Sequence, residues 1–481
     1  MNQINPASAP SLPQIPYIKS ISVKGFRGFS TLQTLNFAKP TGVPGSGLTI
    51  IVGPNNSGKS SVIESITAVT QHVGQPPTFS EGKRNRFADS KVMIEITDGQ
   101  DVKQTVVTVA SGGSETTFKG KETNPRPNQI FVLPSRRTFA PFFGKSENAR
   151  SDYIEQQQRL QDTRGGQSDF SQRIFHINNK PEKRIAFEAD LEKVLYPVPD
   201  WTIEQSEQGQ YYLKYTNQGQ SHSSDGLGEG LVSTFFIVDA LYDSEPGTMI
   251  VIDEPELSLH PQLQARVRDY LVEKSADRQI VISTHSPKFI DWWAISAGAK
   301  IARTAITQNG VTLYELSDTT RDRIISFLSD MNNPHVLGSD ANEVFFLDDK
   351  VVLVEGQEDI LYLPRALSDL KIELNGSFYG WGVGGADKMS IIASILKDLG
   401  FSKVAGILDN DKRSTVAPLQ SEYPDFHFVA QPADDVRNNP ARQKPDKTTL
   451  LTTGNKSVAP EFRDETEKVF HEINDYFRSS S

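Results

Sequence analysis

The chain contains no cysteine, and this absence narrows the chemistry that is open to it. Disulfide bonds, thiolate zinc sites and cysteine nucleophiles are all excluded. Carboxylates and eight histidines remain as metal-binding side chains, so hard, oxygen-coordinated cations are the ones to expect. A metal site in this chain would be built mainly from Asp and Glu.

Long apolar runs and an excess of positive charge are also lacking. No run approaches the roughly 20 apolar residues that span a bilayer, and the first residues do not form a basic patch followed by an apolar signal core. We therefore expect a soluble, cytoplasmic protein without a membrane contact. The 50 basic and 60 acidic side chains give a net charge of −10, so any contact with DNA must be local or metal-assisted.

The length of 481 residues, of which 37% are apolar, is sufficient for two or three domains. Polar, Gln-rich helical patches predict a helical insertion at about residues 141–195, beside several short strands that form a β-rich lobe. After Gly226, helices alternate with strands, which predicts doubly wound α/β structure; residues 378–385, "FYGWGVGG", are included among these strands. The predicted units are a flexible tail (1–16), a first α/β unit (17–340) and a second α/β unit with a closing helix (341–481).

The stretch "LTIIVGPNNSGKSSVIESI" predicts a buried strand, a glycine-framed loop and a helix in succession. The loop satisfies the pattern G-x-x-x-x-G-K-[ST], whose backbone N–H groups surround phosphates at the positive end of the following helix. Lys59 would reach the β- and γ-phosphates, and the Ser60 hydroxyl would bind Mg²⁺. The predicted nucleotide-binding residues are Gly53, Asn55, Asn56, Ser57, Gly58, Lys59, Ser60 and Ser61.

A second apolar run, "MIVIDEPELSLHP", supports the nucleotide site. It places Asp253 at the end of a strand, where its carboxylate can hold the Mg²⁺ shell, and Glu254 beside it, where it can orient the attacking water. A third run, "VISTHSP", places His285 just after another core strand, from where it can sense the γ-phosphate. These patterns predict an ATPase.

Acidic residues mark a separate site further along the chain. Glu355 ends the buried run "VVLVEG", and Asp359 lies one turn into the next helix. Asp409 and Asp411 follow another strand in "KVAGILDNDK". Carboxyl ends of parallel strands converge on one crevice, and acids gathered there repel one another unless a cation such as Mg²⁺ or Mn²⁺ neutralises them. Surface turns of the type Asp-Asn-Asp are the alternative explanation.

The nucleotide-site motifs, taken in order, resemble the ABC-type ATPase heads of the SMC, RecF and OLD (overcoming lysogenisation defect) proteins. That resemblance implies a Ser/Gly signature loop that completes the ATP site of a second protomer. It also implies that Phe26 or Arg27 in "SVKGFRGF" lies near the adenine. No sustained heptad pattern is present, so the long coiled coil of SMC proteins is not expected. The candidate signature loop "HSSDGLGEG" contains Ser224, Gly226 and Gly228.

The later motif, E-G-x-x-D followed by D-x-D, resembles the TOPRIM domain of topoisomerases, primases and OLD nucleases. The resemblance implies that Glu355 assists proton transfer or binds metal, and that Asp409 and Asp411 bind metal at the scissile phosphate. It further implies a second metal, for which Asp434 and Asp435 are candidates, and a downstream basic residue, either Lys447 or Lys456. The OLD family as a whole would cover nearly the entire chain after the tail.

This resemblance implies an ATP- and metal-dependent DNA endonuclease that assembles as a homodimer or larger homo-oligomer around ATP. OLD relatives commonly act in prokaryotic anti-phage defence with a second protein or a nucleic-acid component. Two alternatives remain open at this point. One is an ATPase scaffold whose silent TOPRIM domain docks a separate effector, and the other is a RecF-like DNA-repair ATPase that closes on DNA without cutting it.

Overall fold

The computed structural model describes residues 15–70, 76–87, 91–126, 129–135, 167–207, 209, 211–217, 220–223, 228–325, 327–328, 333–347, 349–438 and 447–479. Nearly all of the predicted tail therefore lies outside the described residues. In the first α/β unit, which we call the head, the strands are β1 (Ile18–Lys24), β2 (Gln33–Asn36), β3 (Leu48–Val52), β4 (Met93–Asp98), β5 (Lys103–Thr108), β6 (Thr116–Gly120), β7 (Ile130–Leu133), β8 (Asp200–Gln205), β9 (Tyr211–Asn217), β10 (Gln220–Ser223), β11 (Met249–Asp253), β12 (Gln279–Ser283), β13 (Lys300–Thr307) and β14 (Gly310–Glu315).

Helices connect these strands and lead to the second unit. Those of the head are α1 (Lys59–Val69), α2 (Gln167–Asn178), α3 (Pro181–Val194), α4 (Glu229–Tyr242), α5 (Pro261–Lys274), α6 (Trp292–Ser296) and α7 (Asp318–Ile325). Two short helices, α8 (Asn333–Val336) and α9 (Ser339–Asn342), lie between the units. The second unit contains β15 (Val351–Val354), α10 (Gln357–Leu370), β16 (Ser377–Phe378), α11 (Met389–Asp398), β17 (Val404–Leu408), α12 (Val416–Glu422), β18 (His427–Ala430) and α13 (Arg463–Arg478).

Part of the predicted β-rich lobe is a five-stranded antiparallel sheet with the order β2-β1-β4-β5-β6. The prediction is wrong for β7, which pairs with β11 in the central sheet, and β8, β9 and β10 form a separate sheet. Buried and more exposed residues alternate along β5, as expected for a sheet with one face packed on a core. The hairpin predicted at Trp201–Thr216 is present as β8 and β9, and β10 extends it. The five-stranded sheet is therefore built as its alternating sequence predicts.

The central sheet of the head has the order β14-β13-β3-β12-β11-β7. Its strands are parallel except for the antiparallel pair β13 and β14. Every residue of β3 and β12 is buried, which explains their continuous apolar sequences. Because β3, β11 and β12 run in the same direction, their carboxyl ends bring the glycine loop, Asp253 and His285 to one edge of the sheet.

The helical insertion packs against α4 and α5 of the head. Residues 141–166 of the predicted insertion lie outside the described residues, and α2 and α3 follow them. Arg173 on α2 is fully buried and donates to Asp239 on α4 at 3.0 Å and, closer still, to Asp243 beyond it. This buried ion pair ties the insertion to α4, the helix that begins after the candidate signature loop.

The second unit is a four-stranded parallel sheet with the order β16-β15-β17-β18, flanked by helices. The closing helix α13 buries its apolar residues at helical spacing against this sheet, as its sequence predicts: Val469, Phe470, Ile473 and Phe477. Only Ser377 and Phe378 form a strand in the region of "FYGWGVGG". The strand prediction is wrong for the rest of that stretch, because its glycines adopt positive φ angles, which a strand does not allow.

One residue of β13 joins the two units. Arg303 is fully buried and donates to the carbonyl oxygens of Leu347 at 2.7 Å and Leu399 at 3.2 Å, and its guanidinium lies 4.0 Å from the ring centroid of Phe401. The next residue, Thr304, faces the glycine loop of the head. The apolar core is also continuous across the junction, so the two units pack as one body.

Membrane-spanning structure was not predicted from the sequence. Within the described residues, no helix combines the length and the apolar character that crossing a bilayer would require.

Candidate functional site

The predicted phosphate-binding loop lies directly between β3 and α1. Gly53 has φ of 139°, and a Cβ atom there would lie 2.4 Å from the carbonyl oxygen of Thr304, so no other residue fits. The loop therefore packs directly against β13. Its exposed side chains, which a nucleotide could contact, are those of Asn55, Asn56 and Ser60. The next residue, Ser61, is half-buried.

Lys59 folds back over the loop. Its Nζ donates to the carbonyl oxygens of Gly53 and Pro54, both at 2.8 Å. Burial lowers the pKa of Lys59 to about 8, although the nearby carboxylates, above all that of Glu254, act in the opposite direction. The amine is therefore held at the centre of the loop, where a phosphate can replace the two carbonyl oxygens as its partner.

Ser57 is directed away from the nucleotide side. Its side chain is buried, and its Oγ lies 2.5 Å from Oγ1 of Thr304 on β13. The prediction that Ser57 contacts a nucleotide is therefore restricted to its backbone. The motif could not show this, because the contact is made with a strand almost 250 residues later in the chain.

Asp253 and Glu254 lie at the carboxyl end of β11. The hydroxyl of Ser283 at the end of β12 donates to Oδ1 of Asp253. Glu254 has φ of 49°, a backbone value that residues other than glycine rarely adopt. Its Oε1 lies 3.6 Å from Nε2 of His285. Burial lowers the pKa of His285, and the positive charge of Lys59 adds to the effect. The structure thus brings the predicted ATPase residues together.

Glu256 belongs to this site although the sequence analysis did not identify it. Its carboxylate accepts hydrogen bonds from the backbone N–H of His285 and, at 2.9 Å, from the hydroxyl of Thr284. These bonds hold the segment after β12 in place beside Glu254, and burial raises the pKa of Glu256. The signal in the sequence was the third acid of "DEPE", which follows Glu254 by two residues.

The two candidates for an adenine contact are occupied by other contacts. Phe26 is only 1% exposed, and its ring centroid lies 5.2 Å from that of Phe79. Arg27 forms a two-pronged ion pair with Glu64 on α1, at 2.6 and 2.7 Å. The prediction that Phe26 offers its ring to a nucleotide is therefore wrong, because the ring is buried in the core of the lobe.

The candidate signature loop is described only at its end. Ser224 and Gly226 lie outside the described residues. Gly228 is exposed and immediately precedes α4. Glu229 at the start of α4 accepts a hydrogen bond of 2.7 Å from the hydroxyl of Ser258, which follows the DEPE segment. The beginning of α4 is thus connected to the ATPase carboxylates within one chain.

In the second unit, Glu355 and Asp409 lie side by side at the carboxyl ends of β15 and β17. The backbone N–H of Asp409 donates to Oε1 of Glu355 at 2.8 Å. Both residues line a cleft of about 440 Å³. The other lining residues are His335, Gly356, Gln357, Glu358, Asp359, Trp381, Gly382, Gly384, Gly385 and Asp435.

The acids of this cleft are partly buried and repel one another. Burial raises the pKa of Asp409 to about 8, and repulsion by Asp359 and Glu355 adds to the increase. Burial likewise raises the pKa of Asp359 to about 7 and raises that of Glu355. A cation bound among these carboxylates would remove the repulsion, which is the electrostatic character of a divalent-metal site.

Asp359 also has a local role. It is the third residue of α10, and its Oδ2 accepts the backbone N–H of Gly356 at 2.9 Å. A carboxylate at this position stabilises the start of the helix. It therefore fixes the turn that follows Glu355 while remaining in the cleft.

The remaining predicted acids divide into two groups. Asp435 lines the cleft, whereas Asp434 binds the backbone N–H of Thr448 at 3.0 Å and the Nδ2 of Asn410 at 3.1 Å. Asp411 forms an ion pair of 2.8 Å with Lys447. The structure thus places Lys447, one of the two basic candidates, at the acidic site. Asp434 instead connects the segment around Asn410 with that around Thr448.

Two further parts of the cleft were not identified from the sequence. The first is the glycine-rich segment 382–385, whose Gly384 and Gly385 donate their N–H groups to the carbonyl oxygen of Glu355, both at 2.9 Å. The second is Gln431, a buried residue whose Nε2 donates to Oδ1 of Asp409. Both hold the catalytic candidates in place, and neither belongs to the acidic motif.

No group of three His, Asp or Glu side chains in the described part of the chain is arranged so that it could hold a metal ion. The donor set of the cleft nevertheless fits a hard divalent cation, because its side-chain ligands are carboxylates that repel one another. The backbone already places Glu355 beside Asp409.

Family models match most of the chain. A model described as AAA ATPase domain matches residues 17–125, and an AAA domain model described for the AbiEii toxin of type IV toxin–antitoxin systems matches residues 108–291. The TOPRIM domain model of overcoming-lysogenisation-defect-like proteins matches residues 346–411. The chain combines an AAA ATPase domain with an OLD-like TOPRIM domain. The resemblance to the OLD family is thereby confirmed at the level of its domains.

Two curated proteins are similar to parts of this OLD-like chain. Endonuclease GajA from Bacillus cereus is 24% identical over 221 residues, which is 42% of this chain and 34% of GajA. The OLD nuclease from Thermus scotoductus is 30% identical over 173 residues, which is 34% of this chain and 31% of that protein. The aligned regions therefore span about a third of each relative.

The OLD-like chain also matches solved structures of SMC heads. The SMC head domain from Thermotoga maritima aligns with a TM-score of 0.36 and 17% identity, covering 63% of this chain and 99% of that one. An Smc head from Pyrococcus furiosus, bound to the C-terminal domain of ScpA, aligns with a TM-score of 0.43 and 14% identity, covering 65% and 99%. The description of the head rests on its own sheet order.

The matched TOPRIM region contains Glu355, Asp359, Asp409 and Asp411. Asp435, Gln431 and Lys447 lie beyond its last matched residue, 411. Of these three residues, Asp435 and Lys447 were candidates from the sequence, and only Gln431 is added by the structure.

Proposed function

We propose that this protein hydrolyses ATP in its head and cuts DNA in a divalent-metal-dependent reaction in its TOPRIM cleft. The observation that carries the proposal is the contact between Glu355 and Asp409, where a backbone N–H of one residue binds the carboxylate of the other at 2.8 Å. This contact holds two half-buried acids together at the carboxyl ends of parallel strands, where their mutual repulsion destabilises the cation-free fold. Two relatives, an endonuclease and a nuclease, support the same activity.

In the head, each part of an ATPase has a residue with suitable geometry. Lys59 would exchange its two carbonyl partners for the β- and γ-phosphates of ATP. Asp253 would hold Mg²⁺ together with Ser60, and Glu254 would accept a proton from the attacking water. His285 is within reach of Glu254 and would follow the state of the γ-phosphate. Glu256 positions His285 through the backbone.

In the TOPRIM cleft, Glu355, Asp409 and Asp411 would hold Mg²⁺ or Mn²⁺, and Asp359 and Asp435 would extend the site to a second cation. When bound, such cations polarise the scissile phosphate and stabilise the attacking and leaving oxygens. Gln431 keeps Asp409 oriented, and the glycine segment keeps Glu355 oriented. Lys447 would supply positive charge near the departing oxygen once Asp411 turns to a cation.

Nicking of supercoiled plasmid DNA tests the proposal. The purified protein is incubated with Mg²⁺ or Mn²⁺, with and without ATP, and with EDTA as the metal-free control. We expect metal-dependent nicking that Asp409→Asn abolishes while ATP hydrolysis continues. Asp464→Asn, an exposed acid at the start of α13, is the matched control and should cut normally. Cutting that survives Asp409→Asn would refute the assignment of the cleft.

One observation favours a second candidate function, a scaffold with a silent TOPRIM domain. Lys447 already neutralises Asp411 at 2.8 Å, and no group of three acidic or histidine side chains among the described residues is arranged for a metal. In such a scaffold the cleft would bind no divalent cation. Calorimetric titration with Mn²⁺ separates the two functions, because only a nuclease loses its heat of binding in Asp409→Asn.

The proposed biological setting is defence against phage, with DNA as the substrate. The likeness to OLD proteins supports this setting. Expression of the protein in a phage-sensitive bacterium should lower the efficiency of plating, and both Lys59→Ala and Asp409→Asn should restore it. Unchanged plating with wild-type protein, tested together with its neighbouring genes, would contradict the defence role but not the nuclease activity.

A further inference from the structure

Trp381 lines the TOPRIM cleft together with Glu355 and Asp409, and no part of the nuclease proposal uses it. Its side chain is 37% exposed. Its indole N–H donates to Oδ2 of Asp340 on α9 at 2.6 Å, which fixes the plane of the ring. A large aromatic ring is thus held rigidly at the mouth of an acidic cleft.

The backbone next to Trp381 is fixed against the catalytic candidates. Gly382 has φ of 89°, and a Cβ atom there would lie 2.7 Å from the Cα of Gly356, the residue after Glu355. The chain therefore passes in direct contact with the turn that follows Glu355. The position of the indole ring is set by this contact on one side and by Asp340 on the other.

The charge of the cleft limits how it can hold a nucleic acid. Its lining includes five carboxylates and neither Lys nor Arg among the described residues: Glu355, Glu358, Asp359, Asp409 and Asp435. Two basic side chains nearby are engaged, since Arg437 pairs with Glu358 at 2.6 Å and Lys447 with Asp411 at 2.8 Å. The phosphates of a substrate gain little here without cations, so an uncharged contact is needed to position it.

Trp381 is the aromatic side chain that meets this need. Trp201 and Trp292 are buried in the head, and Trp293 is 61% exposed but lies on α6, also in the head. Stacking of a nucleobase on an aromatic ring contributes about 1–3 kcal/mol and tolerates any base. A base stacked on a ring that is fixed next to Glu355 would place its own phosphate over the acidic cleft.

We propose that Trp381 stacks on an unpaired nucleobase of DNA beside the scissile phosphate. The preferred substrate class is therefore DNA with unpaired nucleotides, such as a single strand, a flap or a bubble. In a continuous duplex both faces of each base are covered by neighbouring bases, so a fixed indole finds no free face. This inference rests on the proposed nuclease function and specifies its substrate.

Binding measurements under conditions that suppress cutting test the inference. Anisotropy of labelled 20-nucleotide DNA, single-stranded or fully paired, is measured in protein with Asp409 intact and with Ca²⁺ in place of Mg²⁺, so that the carboxylates keep a cation while cutting is suppressed. Trp381→Ala should weaken single-strand binding about five- to hundredfold, as expected for the loss of one stacked base. Trp381→Phe should retain most of the affinity. Binding of the paired duplex should not change.

Trp293→Ala is the matched control, because it removes an exposed tryptophan from the head and should leave both affinities unchanged. Unaltered single-strand affinity in Trp381→Ala, or equal losses for single strand and duplex, would overturn the inference. A Trp381-dependent preference for RNA over DNA of the same sequence would overturn the assignment to DNA. Retained ATP binding and an unchanged melting temperature show that each variant is folded.

Failure of the inference is distinguishable from failure of the nuclease function. If wild-type protein and the Trp381→Ala variant both cut duplex and flap DNA at equal rates, the nuclease function stands and the inference fails. Protein that never cuts, yet binds single strands through Trp381, loses the function and retains the stacking site. The comparison of cutting rates on flap and duplex DNA is therefore run beside the binding measurements.

Discussion

At the scale of single residues, Asp409 carries an electrostatic cost in the second unit. Its pKa of about 8 lies above the ordinary value of 3.8, so the cation-free folded state loses stability as the pH rises between these values. We predict that Asp409→Asn raises the melting temperature in EDTA at about pH 8.5 and raises it much less at about pH 5, where the folded carboxyl group is protonated. Thermal denaturation at both pH values provides the measurement.

Asp464→Asn serves as the control, since the loss of that exposed acid from the first turn of α13 should change the melting temperature little and by the same amount at both pH values. A pH-independent shift in Asp409→Asn would mean that packing, not repulsion, determines the stability at this position.

Lys59 gives a second residue-scale prediction. Lys59→Ala removes the amine that would bind the β- and γ-phosphates, so ATP affinity should fall by roughly a hundredfold or more, as expected for two charge-assisted hydrogen bonds. Calorimetric titration with ATP checks this, and Lys103→Ala, an exposed lysine of the lobe, is the control. Affinity within a few-fold of wild type would remove Lys59 from the nucleotide site.

Residues with a fixed spacing in a motif could be placed from the sequence, and residues that act through tertiary contacts could not. Lys59, Asp253, Glu355 and Asp409 each follow a recognisable strand, so their convergence was predictable. Gln431 lies at the end of a short strand, β18, and reaches Asp409 only because β17 and β18 are paired in parallel. Burial also explains why Ser57 and Phe26 differ from expectation.

At the scale of elements, the glycine segment beside Glu355 can be tested with a matched pair of substitutions. Gly382 and Gly454 have nearly the same φ, 89° and 87°, but a Cβ atom meets the backbone of Gly356 at 2.7 Å only in the first case and finds nothing within 4 Å in the second. We predict that Gly382→Ala displaces Glu355 and lowers DNA cutting at least tenfold with ATP hydrolysis intact.

Gly454→Ala carries the same cost in backbone conformation, so it separates strain from steric displacement. It should melt at a similarly lowered temperature and cut normally. Equal cutting by both variants would show that the glycine segment does not position Glu355.

The strands with uninterrupted apolar sequences were the predictable elements: β3, β11, β12, β15 and β17. β13 was missed because a charged residue, Arg303, stands in the middle of it. That arginine is compatible with a buried strand only because Leu347 and Leu399 offer carbonyl oxygens from the other unit. A sequence pattern cannot show partners that come from 44 and 96 residues further along the chain.

At the scale of the whole molecule, the exposed side chains of the phosphate-binding loop (the P-loop, residues 53–60) predict that two heads associate around ATP. In Glu254→Gln, ATP should bind without rapid hydrolysis, because Asp253 still holds Mg²⁺ while the water lacks its base. We expect ATP-dependent dimers, or a change in a preformed oligomer, in this variant. Light scattering with and without ATP measures this, and a mass that is monomeric in both conditions would contradict a shared site.

The junction between the units gives a further prediction. In Glu254→Gln protein, ATP should change hydrogen exchange in residues 382–396, because Thr304 contacts the P-loop and Arg303 binds the carbonyl oxygen of Leu399, at the end of α11. Arg303→Met should abolish this response and retain ATP binding. Arg278→Met is the control, because Arg278 is another buried arginine that binds carbonyl oxygens, but only within the head. A full response in Arg303→Met would exclude this route.

The arrangement of β13 also restricts how this protein can change over time. Adjacent residues of a strand face opposite sides, so Arg303 and Thr304 serve the two units from a single backbone. Insertion or deletion of one residue before them would exchange the two faces and place the threonine toward the TOPRIM domain and the arginine toward the P-loop. Such a change would remove both activities at once. The length of this strand is therefore a shared constraint on the ATPase head and on the proposed nuclease cleft.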